Sequence, residues 1–122
     1  MKILTFVVVL LCIVTPAFAQ TVTNPGHVQY TVSADHAQLT KYIIGYFLSG
    51  ATDPVQTADL AVVTPDATQK VEQAINATPL TFGTYTARLR SVAGAVMGEW
   101  SADSNAFVRA PLPPGGNPVV KK

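Results

Sequence analysis

Residues Leu80–Ser101 read LTFGTYTARLRSVAGAVMGEWS, and this stretch decides the fold of the chain. Between Thr84 and Arg90 the side chains alternate strictly, and one set comprises Tyr85, Ala87 and Leu89. A period of two residues is typical of a half-buried antiparallel strand. The small residues after it predict a turn, and a second strand is expected to start at Glu99. The stretch therefore predicts a strand and hairpin of a small β-sandwich.

Further segments show the strand pattern, and turn-forming residues separate them. They are His27–Val32, Thr40–Leu48, Val55–Val63, Lys70–Ile75 and Ser104–Arg109. Strands that recur about every 8–12 residues between turn signals are typical of an all-β sandwich. No window sustains the 3.6-residue period of a helix. We therefore predict an immunoglobulin-like antiparallel β-sandwich of six to seven strands.

The closing stretch resembles the last two strands of the fibronectin type III family. The resemblance is carried by Leu80, the Gly83-Thr84 turn, Tyr85, the Ala-Arg-Leu-Arg-Ser run and Gly-x-Trp-Ser. It covers roughly Val22 to Ala110. Two features depart from the family pattern: Tyr30 stands where a Trp is usual, and too few residues precede it for a full first strand.

Three residues receive structural roles from this resemblance. Tyr85 is expected to form a tyrosine corner, with its ring in the core and its hydroxyl bonded to upstream backbone. Leu80 opens the turn before it. Trp100 is expected to pack on the sandwich rather than stack on a ligand, because large rings usually bury most of their area.

The N-terminus reads as a cleavable signal peptide. Met1-Lys2 is a short positive region, Ile3–Val14 is apolar, and Ala17-Phe18-Ala19 supplies the small residues that a signal peptidase recognises. We expect cleavage between Ala19 and Gln20 and a secreted or periplasmic product. The domain plan is a signal peptide at 1–19, a sandwich at 20–110 and a flexible Pro/Gly-rich tail at 111–122.

Composition excludes several functions. Without Lys2 the chain has seven Lys and Arg against seven Asp and Glu, so no basic surface is expected for nucleic acid or for membrane anchoring after signal removal. The only cysteine, Cys12, lies in the signal segment, so the mature chain has no thiolate ligand and no disulfide.

No residue pattern points to catalysis or to a cofactor. Ser33, Asp35 and His36 have the chemistry of a hydrolase triad, but neighbours on one turn do not converge as a triad must. We expect the serine and aspartate to cap that turn. The aspartates are dispersed one per loop, without the spacing of a calcium site. The chain is therefore expected not to be an enzyme and to need no metal or cofactor.

The alternation of Thr40–Leu48 predicts a candidate binding face. If Tyr42, Ile44 and Tyr46 face the core, then Ile43 and Phe47 face outward beside Arg88 and Arg90. An exposed phenylalanine next to two arginines suits a protein or glycan partner. The alternative is that the arginine stems cover the ring.

The resemblance implies a secreted, non-catalytic binding, adhesion or spacer module. A small carbohydrate-binding β-sandwich is the alternative, because exported sandwiches often bind sugars through aromatic faces. No Arg-Gly-Asp sequence is present to imply integrin binding.

Overall fold

A computed structural model describes residues 20–122, and the predicted signal peptide lies outside the described residues. The described chain is all-β, with eight strands and one short 3₁₀ helix at His36–Gln38. The strands are β1 Val22–Thr23, β2 His27–Thr31, β3 Lys41–Leu48, β4 Gln56–Leu60, β5 Lys70–Ala74, β6 Gly83–Ala93, β7 Val96–Met97 and β8 Phe107–Arg109. Each segment predicted as a strand therefore contains one, except the segment that starts at Glu99, and the 3₁₀ helix includes His36 of the predicted turn.

Two sheets form the architecture. The larger has the order β1-β8-β6-β3-β4, with β7 continuing the β6 hairpin, and the smaller consists of β2 and β5. All pairs are antiparallel except β1 with β8. The shortened first strand expected from the sequence is β1, which has two residues and joins the larger sheet rather than pairing with β2.

The core lies between the sheets and is mainly aromatic and aliphatic. The register prediction for β3 is confirmed, because Tyr42, Ile44 and Tyr46 are all buried in the core cluster. Tyr30 of β2 packs edge-on against Tyr42 at 5.2 Å between ring centroids, which joins the two layers. Without disulfides, burial of such rings supplies most of the stabilisation of the fold.

Tyr85 makes the contact expected of a corner residue. Its ring is 1% exposed, and its hydroxyl donates to the Thr81 carbonyl oxygen at 2.8 Å. The ring also stacks on Phe107 of β8, with 5.6 Å between centroids. Leu80, directly before this turn, is buried in the same cluster. The pair fixes the entry of the chain into β6.

The strand expected to start at Glu99 does not form, and this prediction is wrong. Residues 98–106 contain no strand and run beside β6 as an irregular segment. Ser101 donates its N–H to Leu89 O at 2.7 Å, and its hydroxyl accepts the Leu89 N–H at 3.0 Å. Likewise, Ser104 donates its N–H to Ala87 O, and its hydroxyl accepts the Ala87 N–H, each at 2.9 Å. Serine hydroxyls therefore replace the backbone acceptors of a regular ladder.

The C-terminal tail contributes nothing to the sheets. Every residue from Pro111 to Lys122 is exposed, and none belongs to a strand. Within residues 20–122, no helix has the length and apolar character needed to cross a membrane.

Candidate functional site

The predicted binding face lies on the outer surface of the larger sheet, away from the core. The register places Ile43 opposite Arg90, Gly45 opposite Arg88 and Phe47 opposite Thr86. The sequence therefore identifies correctly which side chains share this face. Ile43, Arg88 and Arg90 are each partly buried.

The expectation that Phe47 is exposed is wrong. Its side chain is 0% exposed. The Arg88 guanidinium lies over its ring at 4.5 Å from the centroid, and Trp100 packs against it edge-on at 5.2 Å. The physical reason is that the segment after β7 folds back over the sheet, so both an arginine and an indole cover the ring. Phe47 is not available to a partner in this conformation.

Trp100 occupies its position because Gly45 leaves room for it. A Cβ atom at residue 45 would lie 2.8 Å from Cη2 of the indole. Glycine within a strand often marks such a close approach. The Arg90 guanidinium covers the indole at 4.5 Å from the ring centroid. We call Arg88, Phe47, Trp100 and Arg90 the outer-face stack.

The two arginines of the stack differ in their partners. Arg88 Nε donates to the Asp103 carboxylate at 2.6 Å, and the Thr86 hydroxyl donates to the same oxygen at 3.0 Å. These hydrogen bonds, that from Arg88 first, hold the pKa of Asp103 below its usual value. The positive charge of Arg88 is thereby neutralised by a partner in its own chain.

Arg90 has no such partner within residues 20–122. Its Nε donates to Gly98 O at 2.9 Å, and among the described residues it forms no ion pair. The other nearby cation, Lys41, is paired with Asp59 at 3.1 Å. The outer face therefore presents one guanidinium without a counter-charge among the described residues, placed over an indole and next to the partly exposed Ile43. Such a group can donate two hydrogen bonds to a carboxylate or another planar anion.

The Ser33, Asp35 and His36 group forms a structural hydrogen-bond network instead of a triad. The Ser33 hydroxyl accepts the Asp35 N–H at 3.1 Å, as expected of a turn cap. The expectation that Asp35 also caps the turn is wrong, because its side chain makes no capping hydrogen bond. His36 lies with Nε2 at 2.9 Å from Val63 O and Nδ1 at 2.8 Å from the Tyr42 hydroxyl. A carbonyl only accepts, so Nε2 carries the proton. The Tyr42 hydroxyl, which accepts the Ser33 N–H at 3.0 Å, can then donate to Nδ1. His36 thus contacts the tyrosine and a carbonyl but not the serine hydroxyl.

Three features of the site were not predicted from the sequence: the contact of Asp103, the two serine contacts and the role of Gly45. Only the role of Gly45 could have been predicted, since an isolated glycine inside the YIIGYFL strand indicates close approach of another group. Within residues 20–122, no group of three or more His, Cys, Asp or Glu side chains is arranged to hold a metal ion.

Comparison with known proteins gives no relative from which a role can be carried over. No protein-family model, no curated protein and no solved structure matches this chain.

Proposed function

We propose that the chain is a secreted, non-catalytic binding module of the fibronectin type III kind. The strand arrangement supports this proposal, because β2 and β5 can be matched to strands B and E of an immunoglobulin-like sandwich, and β8, β6, β3 and β4 to G, F, C and C′. The Tyr85 hydroxyl contact supports it further, because a tyrosine corner at the start of strand F is a mark of such sandwiches.

One observation supports a binding role above all: Arg90 is fixed in place, and no described residue supplies a counter-charge. The indole below it and the Gly98 carbonyl beside it restrict its conformations, so little side-chain entropy is lost when a partner binds. Interfaces are enriched in Arg, Trp and Tyr and concentrate their energy in a few such residues. The binding surface proposed here is therefore Ile43, Arg90 and the exposed part of Trp100, with Arg88 and Phe47 as support beneath it.

A protein partner is favoured over a glycan. A sugar ring needs an open aromatic face to stack on, whereas Phe47 is covered and Trp100 carries Arg90 on its ring. A carboxylate-bearing protein surface matches an unpaired guanidinium beside an aliphatic side chain.

The test compares variants of the exported protein in two assays. Arg90→Gln, Ile43→Ser and the control Lys70→Gln, which changes an exposed cation on β5, are used in cross-linking with co-secreted proteins and on a glycan array. We expect a cross-linked partner that is lost in the first two variants and retained in the control, with unchanged melting temperatures. Glycan binding that is lost in a fourth variant, Trp100→Leu, would support the carbohydrate alternative instead. A partner retained in both outer-face variants would refute this surface.

Secretion is part of the proposal and has its own test. Intact mass spectrometry of exported material should show a chain that begins at Gln20, as the Ala17-Phe18-Ala19 pattern predicts. A mature chain that retains Met1 would contradict it.

A further inference from the structure

One edge of β2 has backbone N–H and C=O groups without hydrogen-bond partners among the described residues, and neither the core nor the outer face gives this edge a role. In the part of the chain that the structure describes, β2 pairs only with β5. Ile75 donates its N–H to Gly26 O and Val32 donates its N–H to Gln69 O, each at 2.9 Å, which fixes the phase of this ladder. The N–H and C=O groups of His27, Gln29 and Thr31 must then point away from β5. Among the described residues these groups have no partner.

This edge differs from the outer edge of β5. There Asp66 covers the first residue, because its N–H donates to Lys70 O and its carboxylate accepts the Lys70 N–H. Glu72 adds a charge further along. β2 carries no Lys, Arg, Asp, Glu or Pro in its five residues. Charges and prolines are a usual protection of an exposed edge, and the five residues of β2 contain neither.

Beneath the edge, the seam between the two sheets is open. One hollow of about 260 Å³ is lined by Val28, Ile75, Ala87 and Phe107 among others. A second, of about 330 Å³, lies near the other end of β2 and is lined by Tyr30, Tyr42 and Leu89, with Glu99 as its only charged residue. An additional strand beside β2 would cover both hollows and occupy its free backbone groups.

The C-terminal tail starts at the correct place for this role. Ala110 donates its N–H to the Asn24 side chain at 2.9 Å, and Leu112 shares a hollow with Gly26, the residue before β2. The tail therefore leaves the fold beside the first residue of that strand. Gly115-Gly116 follows, and Gly116 already has φ of +72°, a conformation that permits a chain reversal.

The length, side-chain polarity and charge of Asn117–Lys122 also suit an added strand beside β2. Asn117–Lys122 extends to about 20 Å, enough to run along the five residues of β2, which span about 16 Å. Val119 and Val120 are 75% and 95% exposed. Neighbours in a strand point to opposite faces, so one valine faces the hollows in either register. A tail that runs parallel to β2 brings Lys121 and Lys122 towards the hollow that contains Glu99.

From these observations we propose that Asn117–Lys122 closes onto β2 of its own chain as an added parallel strand, and that the structure shows the open state. Attachment to the same chain favours closure, because the short link gives the tail a high effective concentration at the edge. In the closed state the tail shields β2 from other extended chains. In the open state the edge accepts a strand from outside. This device is independent of the outer face.

Amide hydrogen exchange of the full chain tests the proposal. The double variant Val119→Ser, Val120→Ser removes the apolar side chains of the tail, and Val96→Ser is the control, since Val96 is 70% exposed at the distant β6–β7 hairpin. We expect the amides of His27, Gln29 and Thr31 to exchange about tenfold faster in the double variant than in wild type, which corresponds to about 1.4 kcal/mol for closure. The control should match wild type.

Two results would overturn the proposal. Equal exchange at these three amides in wild type and the double variant would show that the tail does not cover β2. Protection that rises with protein concentration would show that the covering strand comes from another copy. Protection of these amides that depends on Val119 and Val120, and that stays constant over a wide range of protein concentration, supports closure within one chain.

Discussion

Gly45→Ala tests the packing of the outer-face stack most directly. The new methyl group would lie 2.8 Å from Cη2 and 3.1 Å from Cζ3 of Trp100, and 3.0 Å from Cε1 of Phe47. Real Cβ atoms do not approach other heavy atoms to 2.8 Å, so the indole must move. Overpacking of this kind typically costs about 1–3 kcal/mol. Loss of glycine's freedom in the unfolded chain returns about 0.4–1 kcal/mol.

The expected net loss in unfolding free energy is therefore about 1–2 kcal/mol. Urea unfolding followed by far-UV circular dichroism measures it. Fluorescence of Trp100, the only tryptophan, should report the displacement of the ring in the folded state. Gly26→Ala is the control, because nothing lies within 4 Å of a Cβ atom at that position.

A double-mutant cycle identifies the cause. If the clash with the indole is responsible, Gly45→Ala should cost much less in a Trp100→Leu background, with a coupling energy of about 1 kcal/mol or more. Additive effects of the two substitutions would refute the reasoning, since they would place the cost in the β3 backbone and not in the contact.

Three further predictions concern single hydrogen-bonding groups. Tyr85→Phe should lower the unfolding free energy by about 1–3 kcal/mol, because it leaves a backbone carbonyl without its donor; Tyr46→Phe, whose hydroxyl bonds no group among the described residues, should be nearly neutral in the same urea titration. Ser104→Ala should cost about 1–3 kcal/mol in the same titration, because it leaves the part-buried Ala87 N–H without its acceptor, whereas Ser101→Ala should cost less, because the Leu89 N–H is exposed and can bond water; equal losses would contradict this reasoning. The lowered pKa of Asp103 means that the unfolded chain binds more protons than the folded one at acidic pH, so its stabilising contribution is present above the unfolded pKa of about 3.9 and is lost as pH falls through the folded pKa; the melting temperature of Asp103→Asn should fall less steeply than wild type on acidification below pH 4, and parallel curves would contradict this.

The strands could be predicted from the sequence wherever apolar and polar side chains alternate with a two-residue repeat. Alternation in Thr40–Leu48 and in Thr84–Arg90 gave the strands and their inward sets, because one buried face imposes a two-residue repeat. The side chains that face outward were also predicted correctly. The exposure of Phe47 was predicted wrongly, because Trp100, more than fifty residues away in sequence, covers its ring, and no local pattern encodes such a contact.

The segment after β7 could not be predicted for a related reason. Glu99-Trp100-Ser101 has strand-like composition, but its hydrogen bonds to β6 use side-chain oxygens. Whether a serine hydroxyl or a carbonyl accepts the N–H of the neighbouring strand depends on the backbone path of the segment, and no local sequence pattern encodes that path. The partner of Arg88, Asp103, follows from the same path of the chain.

The two serine contacts also set how this segment can change in length. Ser101 meets Leu89 and Ser104 meets Ala87, so the segment advances three residues while β6 advances two. A single-residue insertion or deletion between the serines would break one contact and rotate Asp103 away from Arg88. Natural variation in length should therefore be absent between Ser101 and Ser104.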